Sequence, residues 1–353
     1  MTQQSFILFV IFALTAPCAA QSPEETAKPI DAKATTEAID AGIGWLVRHQ
    51  DENGGWSASQ FVRHDPKTDL CTGIGKPEQD LLVTAWATMA LLARGNTELV
   101  GVHREAVQKA FRWLETQMQA DGFVGAPEAG NAVVAHALSC LALAPGKTLS
   151  NQPPPRKSMD RLVALRLPSG TWPARPGETK GDAMATYWAS MACSISIKLG
   201  GVLDDLEPTL AAMERGEVGA LSPELEAMLR WRAKSGPIPE ARLVEVMDSL
   251  VKELPRWRDG PDATGMDFLA WYAGTLATRN AGGAHWSQWY PALRQALVVH
   301  QRTDGAHAGS WDPVDKNGKE GGRVYATAVN VCSLSVGEPF GRVVVGRRGG
   351  VKK

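Results

Sequence analysis

Three aspartates, Asp80, Asp182 and Asp267, stand where apolar helical runs begin, and they are the candidate catalytic residues of this chain. A carboxyl group delivers a proton to a substrate only when it is held protonated in a dry pocket. The same position has a competing use: free N–H groups and the macrodipole at a helix start favour the carboxylate, so an aspartate there caps the helix and its pKa falls. A second chemistry is suggested by Asp69-x-Cys71 followed by His136, because Asp, Cys and His are zinc-ligand types. Such a site needs at least three aligned ligands, and apolar flanks make His136 a core histidine; no metal is expected. The third is recognition. Trp86, Tyr187, Trp188, Trp271, Tyr272 and Tyr325 fall near the N-terminal ends of the apolar runs. They either line an apolar pocket whose π faces suit a cation or an apolar chain, or they fill the centre of the fold. Arg323 opens the last run and either holds an anionic group or pairs with Asp267 or Asp312. His285, His300 and His307 are scattered. No Ser/His/Asp order, phosphate-binding glycine loop or His-x-x-x-His helix is present, and no cofactor is expected.

These residues need helices to position them. Period-3.6 patterning dominates the chain, with no convincing alternating strand. It predicts six helix pairs: Thr36–Gln50 with Asp80–Arg94, Arg104–Gln119 with Asn131–Ala144, Arg156–Leu167 with Asp182–Leu199, Asp205–Arg215 with Ser222–Lys234, Pro239–Leu254 with Thr264–Arg279, and Ser287–Arg302 with Arg323–Val336. The second helix of each pair is nearly apolar all round and must be buried on every side, whereas the first keeps a charged face. Six buried helices alternating with six amphipathic ones close into a double ring, so the expected fold is an all-α (α/α)6 toroid of six helical hairpins.

The hairpins repeat. Trp45-Leu46-Val47-Arg48-His49-Gln50-Asp51-Glu52-Asn53-Gly54-Gly55-Trp56 reads as a helix end, a glycine turn and an aromatic plug. Degraded copies end in Asp121-Gly122-Phe123, in Ser169-Gly170-Thr171-Trp172, and in Gln301 to Asp304-Gly305 followed by Gly309-Ser310-Trp311. Thr84-Ala85-Trp86-Ala87-Thr88-Met89-Ala90 is echoed by Thr186-Tyr187-Trp188-Ala189-Ser190-Met191-Ala192 at the same interval from Asp80 and Asp182. Recurrence at a period of roughly 40–65 residues marks a repeat architecture. Glycine supplies the turn, tryptophan staples consecutive helices, and the glutamine is expected to bond free N–H groups at the next helix start.

The 353 residues are 44% hydrophobic and 21% charged with a net charge of −1, which gives no electrostatic case for a nucleic-acid partner. Residues 1–20 read as a signal peptide. An apolar run from Phe6 to Leu14 is too short to span a bilayer and leads to small residues suited to cleavage near Ala20, although no Lys or Arg precedes it. The chain is therefore expected in the periplasm or secreted, with no stable membrane insertion after cleavage. Residues 21–35 read as a disordered linker, 36–336 as the toroid and 337–353 as a flexible basic tail.

The repeat residues resemble the terpenoid-cyclase and protein-prenyltransferase superfamily, whose hallmark is a glutamine–tryptophan repeat on an (α/α)6 toroid. The C-terminal half is similar to bacterial prenyltransferase/squalene oxidase repeat proteins through Asp267 to Ala277, Trp286-Ser287-Gln288-Trp289, Gly309 to Pro313 and Gly321 to Ala328. It departs after Val336, where Gly337-Glu338-Pro339 stops the helix. The resemblance implies two chemistries, and both lack their residues. The Asp-x-Asp-Asp acid of squalene-type cyclases is absent, and Asp204-Asp205 is a pair that reads as an N-cap. Protein prenyltransferases hold zinc with an Asp and a Cys two apart at an inner-helix start. In register, that helix begins at Asp80, Leu82 takes the cysteine position, and His136 lies about one turn too deep. The expectation is a non-catalytic binding or interaction module with an apolar central pocket or a rim surface, taking an isoprenoid, another apolar small molecule or a protein. The alternatives are a divergent enzyme acting on an isoprenoid or lipid and a carbohydrate-binding or -cleaving toroid, which needs paired carboxylates in a cleft.

Overall fold

Every apolar run and every amphipathic run becomes a helix. The computed structural model describes residues 30–149, 156–197, 206–233 and 241–338, the side chains of 145–149 and 195–197 excepted. Twelve α-helices lie among the described residues: α1 (Ala32–Arg48), α2 (Asp80–Ala93), α3 (Arg104–Thr116), α4 (Ala132–Leu149), α5 (Arg156–Ala164), α6 (Ala183–Ile197), α7 (Glu207–Glu214), α8 (Pro223–Ala233), α9 (Ala241–Leu250), α10 (Phe268–Ala281), α11 (Gly283–Val298) and α12 (Gly318–Ser335). The signal segment, the linker up to residue 29, Asp204-Asp205 and residues 339–353 of the tail lie outside the described residues.

The even-numbered helices form the inner ring. α2 packs on α4, α4 on α6, α6 on α8, α8 on α10, α10 on α12, and α12 returns to α2. The odd-numbered helices lie outside them: α1 against α12 and α2, α3 against α2 and α4, α5 between α4 and α6, α9 against α8, and α11 against α10. Burial follows the patterning in the first two hairpins, while α8 is an inner helix despite carrying Glu224, Glu226, Arg230 and Arg232. Every residue of α2 from Val83 to Ala93 is buried, whereas α3 buries one stripe, Ala106, Val107, Ala110, Phe111 and Leu114. The chain is thus an all-α toroid whose last inner helix meets its first.

One hydrogen-bond scheme recurs around the ring. The Trp56 backbone N–H donates to Thr84 Oγ1 at 2.8 Å, and the Trp56 indole donates to the Leu46 carbonyl at 2.7 Å. Trp172 repeats this with Thr186 and Leu162, and Trp311 with Thr327 and Leu297. Each tryptophan therefore bonds an outer helix through its side chain and an inner helix through its backbone. In the second hairpin Val124 stands at the tryptophan position, one residue after Phe123, and His136 takes the threonine's place: its Nδ1 accepts the Val124 N–H at 3.1 Å. The glutamine acts differently from expectation. Gln50 Nε2 donates to the Gly54 and Ala106 carbonyls, both at 2.9 Å, and Gln301 Nε2 to the Gly309 and Ala38 carbonyls at 2.8 Å. It ties its own turn to a carbonyl of the next outer helix, because the turn presents oxygens to it. The turn glycine is also forced. Gly54 has φ +99° and a side chain there would fall on the Lys109 carbonyl; Gly309 has φ +98° and would strike the Ala41 carbonyl.

Helix ends differ from expectation in explicable ways. α1 starts at Ala32, ahead of Thr36, because Asp31 caps it through the Ala34 N–H at 2.7 Å. α12 is broken at Gly322 (φ +65°), so its continuous part opens at Arg323 as the pattern implies. α10 begins only at Phe268, since residues 260–265 form a tighter 3-10 turn. No helix among the described residues is long and apolar enough to cross a membrane.

Candidate functional site

The aromatic residues singled out by spacing all lie on inner helices and all are buried. Four of them touch one another across the hub. Trp86 of α2 meets Trp188 of α6 and Tyr272 of α10 edge to face, ring centres 5.3 Å apart in each pair, and Tyr187 packs on Trp188 at 4.8 Å. Edge-to-face contact sets the positive rim of one ring against the negative face of the next, a favourable packing beyond plain burial. Trp271 lies against Phe268, and Tyr325 turns its hydroxyl to Asp315. Not every polar atom in these inner helices is matched: Trp86 Nε1, the Tyr187 hydroxyl and both amide atoms of Asn330 are buried without a hydrogen-bond partner. Burial drives the Tyr187 and Tyr272 hydroxyl pKa values upward, so both stay neutral.

The three aspartates occupy the helix starts and are engaged there. Asp182 accepts the Ala185 N–H at 2.8 Å. Asp267 accepts from the Leu269 and Ala270 N–H groups at 3.1 and 3.2 Å and forms an ion pair with Lys316 at 2.6 Å. Asp80 instead reaches back to the loop before its helix, where Oδ1 accepts the Ala58 N–H at 2.8 Å and lies 3.3 Å from Ser57 Oγ. A helix-start macrodipole should lower its pKa, but the Asp80 pKa is raised. Partial burial outweighs the two hydrogen bonds that favour the charge. Asp80 also borders a cleft of about 630 Å³ between the starts of α2 and α4, shared with Leu81, Asn131, Ala132 and Ala135.

A fourth carboxyl group escaped the sequence reading. Asp315 is 3% exposed, and its Oδ2 accepts the Phe268 N–H at 3.2 Å and the Tyr325 hydroxyl at 3.0 Å. Burial is the largest influence and moves its pKa up to about 6. Asp267 adds repulsion. Glu224, at the start of α8, is raised for the same reason, with Asp267 and Lys316 among its charged neighbours. Three carboxyl groups and one lysine therefore gather at the starts of α8, α10 and α12. The only sequence signal was Asp315-Lys316-Asn317-Gly318 as a turn before a helix, which carries no hint of burial.

Arg323 lies at the seam between the last hairpin and the first. It is 1% exposed, with Nε donating to the Thr72 carbonyl at 2.7 Å, one terminal nitrogen to Ser310 Oγ at 2.9 Å, and the other to Thr72 Oγ1 and to Asp312. Of the alternatives for Arg323, an anionic group, Asp267 or Asp312, the contact present is the one with Asp312. The Asp69–Cys71–His136 set is not assembled as a zinc site. Asp69 Oδ2 accepts the Ala306 N–H at 2.7 Å, while His136 stacks on Phe123 and has its pKa pushed down to about 3 by burial. The prenyltransferase register fits no better, since Leu82 offers no ligand atom and Asp80 and His136 each bind a backbone N–H.

Comparison with known families agrees with this geometry. Residues 24–132 match the family described as the squalene-hopene cyclase C-terminal domain. No curated protein matches the chain. The matched stretch holds α1 to α3 and the first complete turn-and-plug copy, whose hydrogen bonds recur at α6 and at α12. That match, which covers less than half of the chain, and the closed ring of paired helices support membership of the terpenoid cyclase and prenyltransferase-like superfamily.

Proposed function

We propose that this chain is an exported, non-catalytic binding module that presents a rigid toroid and recognises its partner through the rim. The observation that supports this best is the hub, where Trp86, Trp188 and Tyr272 pack on one another instead of facing a substrate. Asp182 and Asp267 are occupied with capping, which leaves neither free to donate a proton. Export rests on the apolar run and small residues at the N-terminus. Native mass spectrometry of the purified chain, with lipid extraction of the same sample, tests the reading. The expected result is a mass with no bound isoprenoid or lipid; a co-purifying isoprenoid would reverse the reading.

A second reading has one observation in its favour. Asp315 is a buried carboxylic acid with a pKa near the working range, beside the Tyr325 hydroxyl, as a divergent enzyme on an isoprenoid or lipid would need. In that case squalene or a prenyl diphosphate would be turned over by the chain, and Asp315→Asn would abolish turnover while leaving helical content intact.

A further inference from the structure

His49, Asp65 and Cys71 bring an imidazole nitrogen, a carboxylate oxygen and a sulfur within 4.8 Å of one another where α1 gives way to the loop before α2. The His49 and Asp65 side chains are 2% exposed, and Cys71 is 4% exposed. Asp65 Oδ1 is the shared corner, 2.8 Å from His49 Nε2 and 3.5 Å from Cys71 Sγ, while Asp65 Oδ2 accepts the Cys71 N–H at 2.8 Å. This cluster is separate from both the hub and the helix starts. It is also away from the inner-helix position where the superfamily resemblance would place a metal.

The imidazole is oriented by its surroundings. His49 Nδ1 lies 2.8 Å from the Trp45 carbonyl, which can only accept, so Nδ1 carries the hydrogen. In the neutral ring Nε2 is then the lone-pair nitrogen, and it faces a carboxylate oxygen that is also a lone-pair atom. Something positive has to lie between them. A backbone carbonyl on the distal N–H is the arrangement that orients metal-binding histidines. Trp45 stacks on the ring with centres 3.9 Å apart and Phe61 closes its edge at 5.8 Å, so the imidazole cannot swing away.

We propose that His49 Nε2, Asp65 Oδ1 and Cys71 Sγ bind a divalent cation of the zinc type. Nitrogen, oxygen and sulfur in one set suit a borderline-soft ion, with bonds of about 2.0–2.3 Å. A tetrahedral ion with such bonds holds its donors roughly 3.3–3.6 Å apart, so Nε2 and Oδ1 separate by about half an ångström on binding. Three metal–ligand bonds form. The Cys71 S–H proton and the proton held between Nε2 and Oδ1 leave for solvent, and no electrons are transferred. A neutral imidazole, one carboxylate and one thiolate balance the double positive charge. A cleft of about 870 Å³ beside His49 and Asp65, also lined by His64, Asp69 and Gln301, gives access and room for water as the fourth ligand. Cys71 immediately precedes Thr72 and Gly73, which accept from Arg323, so the ion would tie the loop down at the seam.

The test is a Co2+ titration of the full chain after treatment with a chelator. One equivalent should bind, with a near-ultraviolet thiolate-to-cobalt band and tetrahedral visible absorption, and Zn2+ should abolish both. Cys71→Ser should remove the thiolate band. Asp65→Asn, which keeps an oxygen for the Cys71 N–H, should weaken binding more than about tenfold. Excess Zn2+ should raise the melting temperature of the unaltered chain. Absence of the thiolate band in the unaltered chain overturns the proposal, whether or not the variants fold. So does a band that survives Cys71→Ser, which would put the ion on another cysteine.

Discussion

A single hydroxyl on each of three inner helices carries the contact between plug and ring. Thr84 Oγ1 accepts the Trp56 N–H and donates to the Trp56 carbonyl at 3.2 Å, and Thr186 does the same for Trp172 at 3.0 and 3.3 Å. Thr84→Val keeps the volume and leaves both Trp56 groups buried without a partner. It should cost about 1–3 kcal/mol in urea unfolding, with unchanged helical content by circular dichroism. Asp315 sets a pH dependence of definite sign. Its carboxyl pKa is 3.8 by default and about 6 in the fold, so the folded state holds more protons between those values. The stability it contributes is complete below about pH 3.8 and is lost as pH rises through about 6. Asp315→Asn should therefore gain up to about 3 kcal/mol on the unaltered chain between about pH 4 and pH 7.5. Urea unfolding over that range checks it; a parallel pH profile for the two proteins would contradict the buried carboxyl.

The hairpin is the unit at which the turn glycine acts. Gly309 and Gly177 share a left-handed backbone, φ +98° and +88°, but a side chain at Gly309 would strike the Ala41 carbonyl, whereas Gly177 has open space. Gly177→Ala should cost about 1–2 kcal/mol, the left-handed strain alone. Gly309→Ala should cost clearly more, because the turn can no longer seat on α1; thermal melts of the two variants separate strain from contact. The helices themselves were legible in the sequence. The all-apolar stretch from Leu81 to Leu92 can only be an inner helix, and the half-charged one from Arg104 to Gln119 only an outer one. Loop residues carry no such period. His49 reads as one more helix-end residue, Asp65 as one more loop acid, and their approach to Cys71 depends on how the loop from Phe61 to Gln79 folds back on α1. Asp315 was hidden for the same reason: a turn residue is usually exposed, and only packing against Phe268 and Tyr325 buries it.

Across the whole molecule, the ring is completed by polar contacts as well as apolar ones. Arg323 joins Thr72 to Ser310 and Asp312, its own N–H donates to the Gly73 carbonyl at 2.8 Å, and the Lys76 N–H donates to the Glu320 carbonyl at 2.8 Å. Arg323→Met removes a buried guanidinium and should destabilise the protein by about 3–5 kcal/mol. Hydrogen exchange should quicken together at the Lys76 and Arg323 amides, which are distant in sequence and belong to one seam. Faster exchange on one side alone would mean that the two ends of the chain are held independently.

A helical array with free ends can grow by copying a unit, but a circle cannot. With α12 already lying against α2, a seventh hairpin would have no place to insert, and losing one would leave a gap no neighbour could span. Gene duplication could build this chain only up to the point of closure. Later diversification would then be confined to the segments joining the helices, of which the one from 49 to 79 is long, and a lineage with a new partner should differ there while keeping its hairpin number.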